Sequence, residues 1–192
     1  MSDLQAAGGA AIAEDTPTGV LSGRNAPVLI GTIALAGVAL DQATKALALA
    51  SLDPEEPVVL LGGLLTLRLI RNPGAAFSMG EQFTIFFTLV SATALVLVSA
   101  WLAPRVRHVG WAVGTGLLLA GILGNLTDRL VREPGFLRGH VIDFLQLPYF
   151  AIFNVADICI TSAAVVLIWL LVVRQVEPDG LSAKQPRPER AA

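Results

Sequence analysis

The chain has 192 residues, of which 54% are hydrophobic and only 15% charged, with a mean hydropathy of +0.69. Soluble domains carry nearer ~25% charged residues, so the composition is that of an integral membrane protein. The net charge of −2 leaves no basic footprint for nucleic acid, and a single cysteine, Cys159, excludes a disulfide framework within the chain and any cysteine-rich metal site.

Residues 1–26 are rich in Ala, Gly and Thr and lack the basic n-region and short apolar core of a secretory signal. They read as a disordered, uncleaved tail, as do the charged, proline-containing residues 176–192. Between them, 27–175 form one membrane domain. Four stretches, 27–50, 83–103, 109–130 and 153–173, reach the ~20 residues that a spanning helix needs. Seven Lys and Arg residues flank one side (Arg24, Arg105, Arg107, Arg174, Lys184, Arg187, Arg190) and four the other (Arg68, Arg71, Arg132, Arg138). The bias places both termini in the cytoplasm.

Two connections then lie outside. In the first, Leu65-Thr66-Leu67-Arg68-Leu69-Ile70-Arg71 alternates with period two and ends in the turn signal Asn72-Pro73-Gly74, predicting a small β region over about 57–80. In the second, the apolar run 141–150, broken by Pro148, is too short to span and too apolar for water. It is expected at the interface or dipping back as a re-entrant segment. The fold class is therefore a membrane all-α bundle of four transmembrane helices with a small extracytoplasmic β region and a re-entrant or interfacial segment.

Within this apolar frame, Asp41, Lys45, Asn125, Arg129 and Asp157 are out of place. An ionisable group at membrane depth costs about 2.5–3.5 kcal/mol on insertion scales unless it is paired or faces a polar cavity. The topology brings these residues to one depth. Asp41 and Lys45 lie within about 14 Å of the outer end of the first helix. Asn125, Asp128 and Arg129 end the third, and Asn154 and Asp157 begin the fourth. The i,i+4 pairs Asp41/Lys45 and Asn125/Arg129 and the i,i+3 pair Asn154/Asp157 each share a helix face. Helix 2 offers only Thr84, Thr88 and Ser91 and reads as packing.

Several of these residues also fit structural roles. Asp41–Lys45 suits a self-neutralising ion pair, and Asn125 suits an interhelical hydrogen bond. Arg129 suits a snorkelling side chain, with Asp128 as its partner or as a helix-end cap. Asp143, on the second connection, and Asp157 have no basic neighbour at helical spacing. Two carboxyls brought together without a cation share a proton. The ionised member can then activate water while the protonated member donates to a carbonyl oxygen. A proton- or ion-coupled carrier is the alternative function, although no inverted repeat is visible. A non-catalytic scaffold would leave both aspartates unexplained.

Five blocks, Asp41-Gln42-Ala43-Thr44-Lys45, Arg71-Asn72-Pro73-Gly74-Ala75-Ala76-Phe77-Ser78, Gly124-Asn125-Leu126-Thr127-Asp128-Arg129, Val141-Ile142-Asp143-Phe144 and Phe153-Asn154-Val155-Ala156-Asp157, resemble in order those of bacterial lipoprotein signal peptidase (signal peptidase II). The resemblance covers about 41–157. It implies an aspartyl endopeptidase of the inner membrane that removes the signal peptide from diacylglyceryl-modified prolipoproteins just before the lipidated Cys. By motif, Asp143 and Asp157 would be the catalytic dyad. Asn72 and Gly74 would cradle substrate, Asn125 and Arg129 would contact its backbone, and Asp41, Lys45 and Asn154 would support the site. Arg129 is expected to be occupied by Asp128 or by substrate, so that the dyad keeps its proton. The resemblance implies membrane lipid as a partner, with no metal, no organic cofactor and no obligate protein partner.

Overall fold

The structure, a computed structural model, describes residues 19–74 and 82–182. Residues 75–81, and with them Ala75-Ala76-Phe77-Ser78, lie outside the described residues, as do 1–18 and 183–192. Four helices are long and apolar enough to cross a membrane. They are α1 (Asn25–Ser51), α2 (Gln82–Leu97, extended by a wider turn Val98–Leu102), α3 (Val109–Val131) and α4 (Val155–Ile168, extended by Trp169–Arg174). The sequence placed each within a few residues.

Helix α3 is central. Two-thirds of its most apolar window is buried, against 22% for α1, 6% for α2 and 17% for α4, whose outer faces stay apolar and uncovered. Small residues allow this placement. Ala112 and Ala120 on α3, and Ala156 and Ala163 on α4, are fully buried. At Gly124 a Cβ would stand 2.6 Å from the Asp41 carboxylate, so only glycine lets α1 carry that acid against α3.

Three antiparallel strands, β1 (Val58–Leu60), β2 (Leu65–Asn72) and β3 (Val141–Gln146), form a sheet in the order β1-β2-β3 at one end of the bundle. In β2–β3, Ile70 faces Asp143 and Asn72 faces Val141, with a register irregularity between Leu67 and Ile70. The run 141–150 thus takes the form of an edge strand and a turn, with no helical dip. Its backbone groups are answered by β2, and Leu145 and Phe153 exchange N–H···O bonds of 2.9 Å in both directions. Val141, Ile142, Asp143 and Phe144 are all buried, which explains an apolar run without alternation. Ala48, Leu69, Ile142 and Phe144 pack together beneath the sheet.

At the opposite end, the segments before α1 and after α4 close on the α2–α3 loop. Leu21 N donates to Arg107 O (2.7 Å), Val109 N to Gly19 O (2.8 Å) and Arg107 N to Pro178 O (2.7 Å), while the Trp111 indole donates to Val176 O (2.9 Å). Composition alone assigned 19–26 and 176–182 to disordered tails. In the structure they satisfy backbone groups of that loop, and α1 begins at Asn25.

Candidate active site

The fourth helix begins with a reciprocal cap. Asn154 Oδ1 accepts from Asp157 N and Asp157 Oδ2 accepts from Asn154 N, both at 3.1 Å, so two of the free N–H groups of the first turn are satisfied. A third, Ala156 N, donates 2.9 Å to Asp41 Oδ1 across from α1. The Asn-x-x-Asp spacing, read from sequence as a polar face, is also a cap signature. Asp157 is therefore held in one rotamer with its second oxygen, Oδ1, accepting 2.8 Å from Asn125 Nδ2.

Asp143 comes from the sheet. It is 2% exposed, and each of its oxygens receives an amide: Oδ1 from Asn154 Nδ2 at 2.6 Å and Oδ2 from Asn72 Nδ2 at 2.8 Å. One residue, Asn154, thus holds both carboxylates, Asp143 through its side-chain amide and Asp157 through its backbone N–H. Burial is the main force on the Asp143 carboxyl and pushes its pKa up to about 6. The Asp157 charge adds to the rise, while the Asn72 and Asn154 amides and the Lys45 ammonium oppose it. Asn72 Oδ1 also accepts from Gly74 N at 2.8 Å, closing a tight turn. Gly74 has φ +105°, and a Cβ there would lie 2.6 Å from the Phe87 ring, so a side chain is excluded twice over.

Asn125 joins this layer to a buried ionic one. Its Oδ1 accepts from Asn154 Nδ2 (3.1 Å) and from Lys45 Nζ (3.0 Å). Lys45 is fully buried and also pairs with Asp41 Oδ2 at 2.9 Å and Asp128 Oδ2 at 2.8 Å. Three acceptors match the three N–H bonds of an ammonium. The Asp41–Lys45 pair is therefore part of a larger network in which Asp128 is the third charged member. Asp128 also meets Arg132 Nε at 2.6 Å, Gln42 Nε2 at 3.2 Å and the backbone N of Ile142, beside Asp143, at 3.3 Å.

That arrangement bears on Arg129, which is expected to be met by Asp128 or by substrate. Asp128 is spent on Lys45 and Arg132 and does not occupy Arg129. Arg129 hydrogen-bonds to its own helix, NH1 to Asn125 O at 3.3 Å, its buried Nε has no hydrogen-bond partner among the described residues, and the charges of Asp157 and Asp143 act on it from across the site. Gln42 and Arg132 were missed as members of the site, although Asp128/Arg132 repeats the i,i+4 spacing of the pairs already noted. Helix α2 is also more than packing: Thr84 and Thr88 are fully buried and hydrogen-bond to loop carbonyls.

The sequence pattern of the signal peptidase (SPase) II family matches residues 33–173, which contain every residue of this constellation. The chain belongs to the signal peptidase II family. It is 48% identical over 168 residues to the lipoprotein signal peptidase of Leifsonia xyli, covering 87% of this chain and 77% of that one. With that of Streptomyces coelicolor it shares 42% over 158 residues (82% and 76%), and with that of Mycobacterium avium 42% over 160 (81% and 87%). A bacterial membrane enzyme solved at 2.3 Å has the same fold (TM-score 0.69, 24% identity, 88% of this chain and 96% of that one). A second, solved at 1.9 Å, superposes at TM-score 0.67 with 26% identity over 80% and 97%. The family membership makes this chain a peptidase, and its four apolar helices make it a multi-pass membrane protein.

Proposed function

We propose that this peptidase is an aspartyl endopeptidase that removes the signal peptide from diacylglyceryl-modified prolipoproteins, cutting just before the lipidated Cys, with Asp143 and Asp157 as its catalytic pair. The observation that carries the reading is the single Asn154 that grips both carboxylates, one from the sheet and one from the start of α4.

Burial and the neighbouring Asp157 charge raise the Asp143 carboxyl above the ordinary carboxylate range, which favours Asp143 as the proton donor of the pair. Asp157, half-buried and nearer solvent, then takes a proton from water as the hydroxide adds to the scissile carbonyl carbon. Asp143 gives its proton to the carbonyl oxygen. When the resulting diol collapses, one of its hydroxyls returns a proton to Asp143, the C–N bond breaks, and the amine leaves with the proton that Asp157 took from water, so the pair regains its starting protonation. Arg129, with its Nε unfilled, is placed to hold a substrate carbonyl that lipid leaves unpaired. The signal helix and the acyl chains both partition into the bilayer, so a site at the outer leaflet of the inner membrane meets the bond where it lies. The acyl chains remain along the apolar outer faces of the helices.

The test is cleavage of a synthetic lipidated precursor by the purified full chain, without ATP or an ion gradient. Asp143→Asn and Asp157→Asn should each lower the rate by more than ~100-fold, the usual scale of acid–base catalysis. Both variants should still insert, because an amide oxygen can keep the cap at Asp157. Either variant retaining half the wild-type rate at wild-type abundance would overturn the pair.

A further inference from the structure

Helix α2 lies beside the site and contributes none of the residues assigned above. Its face toward the site carries Thr84, Phe87 and Thr88 at i, i+3, i+4. Thr84 is 1% exposed and its hydroxyl donates 2.6 Å to Pro73 O, the carbonyl in the middle of the Asn72-Pro73-Gly74 turn. Phe87 fills the space that Gly74 leaves by having no Cβ. Thr88 is fully buried, and its hydroxyl lies 2.8 Å from Thr84 O and 3.0 Å from Leu137 O, in the loop that leads into β3. A threonine mid-helix usually bonds only its own helix. Here both hydroxyls reach across to the two loops that flank the sheet's catalytic strand.

We propose that Thr84, assisted by Thr88, is a positioning residue of the active site: its hydroxyl fixes the turn from which Asn72 holds Asp143. The proposal rests on the reading of Asp143 as a catalytic acid. The chain of contacts is short: Thr84 Oγ1 to Pro73 O, Asn72 Oδ1 to Gly74 N, and Asn72 Nδ2 to Asp143 Oδ2. Loss of the first link leaves a buried carbonyl unpaired and frees the turn to move. A displacement of 1 Å in a group that aims a catalytic residue can cost 10²-fold. The charges and dipoles around Asp143 come from four elements besides its own: Asn72 on β2, Lys45 on α1, Arg129 on α3, and Asn154 with Asp157 at α4. Weakening Asn72 removes a donor that favours the ionised acid, so Asp143 should keep its proton to higher pH.

The experiment is steady-state cleavage of a lipidated precursor by purified full-length variants across pH. Thr84→Val, which exchanges hydroxyl for methyl at nearly constant shape, should lower kcat about 10- to 100-fold with KM within about twofold. It should also move the alkaline limb of kcat upward by about half a pH unit. Thr84→Ser, which keeps the hydroxyl, should return to within about twofold of wild type. In an Asn72→Ala background, Thr84→Val should change kcat by less than about twofold, because the two residues act in series. Wild-type kinetics for Thr84→Val, equal damage from Ser and Val, or full additivity with Asn72→Ala each overturns the proposal. If Thr84→Val does not accumulate, Thr84→Ala takes its place in the same cycle. Asp143→Asn, measured alongside, separates the two failures. If it remains active, the acid assignment falls. If it is dead while Thr84→Val is normal, only the positioning role falls.

Discussion

Asp143 is a carboxyl buried by a sheet strand and fed by two amides, and its proton equilibrium has a consequence for folding. Its folded pKa, raised to about 6, lies above that of an unfolded Asp near 3.9. Between those values the folded state binds more protons than the unfolded state, so stability falls as pH rises through the window and is highest below it. The loss attributable to this one group is on the order of 3 kcal/mol by pH 7. Asp143→Asn removes the titration. The difference in melting temperature, variant minus wild type, should therefore grow from pH 4 to pH 6.5, read by thermal unfolding in detergent. A difference that is flat with pH would show that Asp143 does not titrate in this range. Asp157 illustrates the opposite economy, since one side chain both caps α4 and faces the site. Such a residue is legible from sequence as N3 of a cap and as an acid with no basic neighbour at helical spacing; the structure realises the cap, and brings the Arg129 charge near it from α3.

Among elements, α1, α3, α4 and β3 are fastened by buried ions. Lys45 neutralises acids from two helices, Asp41 crosses to the first turn of α4, and Asp128 reaches the backbone of β3 beside Asp143. Removing one member of such a cluster leaves uncompensated charge in a dry place and typically costs about 3–5 kcal/mol. Lys45→Met should therefore sharply lower the abundance and melting temperature of the solubilised protein. Had Asp41 and Lys45 formed an isolated pair, converting both to leucine would restore abundance in full. With Asp128 as a third member and Ala156 N dependent on Asp41, the double variant should recover only in part. Full recovery would show that Asp128 and the α4 terminus find other partners. The i,i+4 spacing made the pair visible in the sequence. Nothing local could reveal that Lys45 serves Asp128, 83 residues away, because that contact exists only once α1 and α3 pack through Gly124. The β3 strand was hidden for a similar reason. Buried on both faces, it lacks the alternation that exposed β2 in the sequence, and its partner is remote in the chain.

At the scale of the whole molecule, the candidate site and the segments leading into α1 and out of α4 occupy opposite ends of one bundle. The sheet, the Asn72 turn and the Asp143–Asn154–Asp157 cluster crown one end, while residues 19–22 and 176–182 close the other. Four spans among the described residues bring residues 19–24 and 175–182 to one side, so the remaining question is which side. We expect that side to be the cytoplasm, because seven Lys and Arg residues of the sequence fall toward it against four toward the other. On that expectation the site faces the outer leaflet. Single cysteines introduced into a Cys159→Ala background report this directly. Glu55 and Arg138 are exposed at the sheet end, and Arg105 and Asp179 at the terminal end. In intact cells with a permeable outer envelope, a membrane-impermeant maleimide should label Cys at 55 and 138 and spare 105 and 179 until the membrane is opened. The reverse pattern would sink the orientation. It would also undercut the substrate proposal, because the carboxylate pair would then face a leaflet in which the signal peptide presents its basic start rather than the bond to be cut.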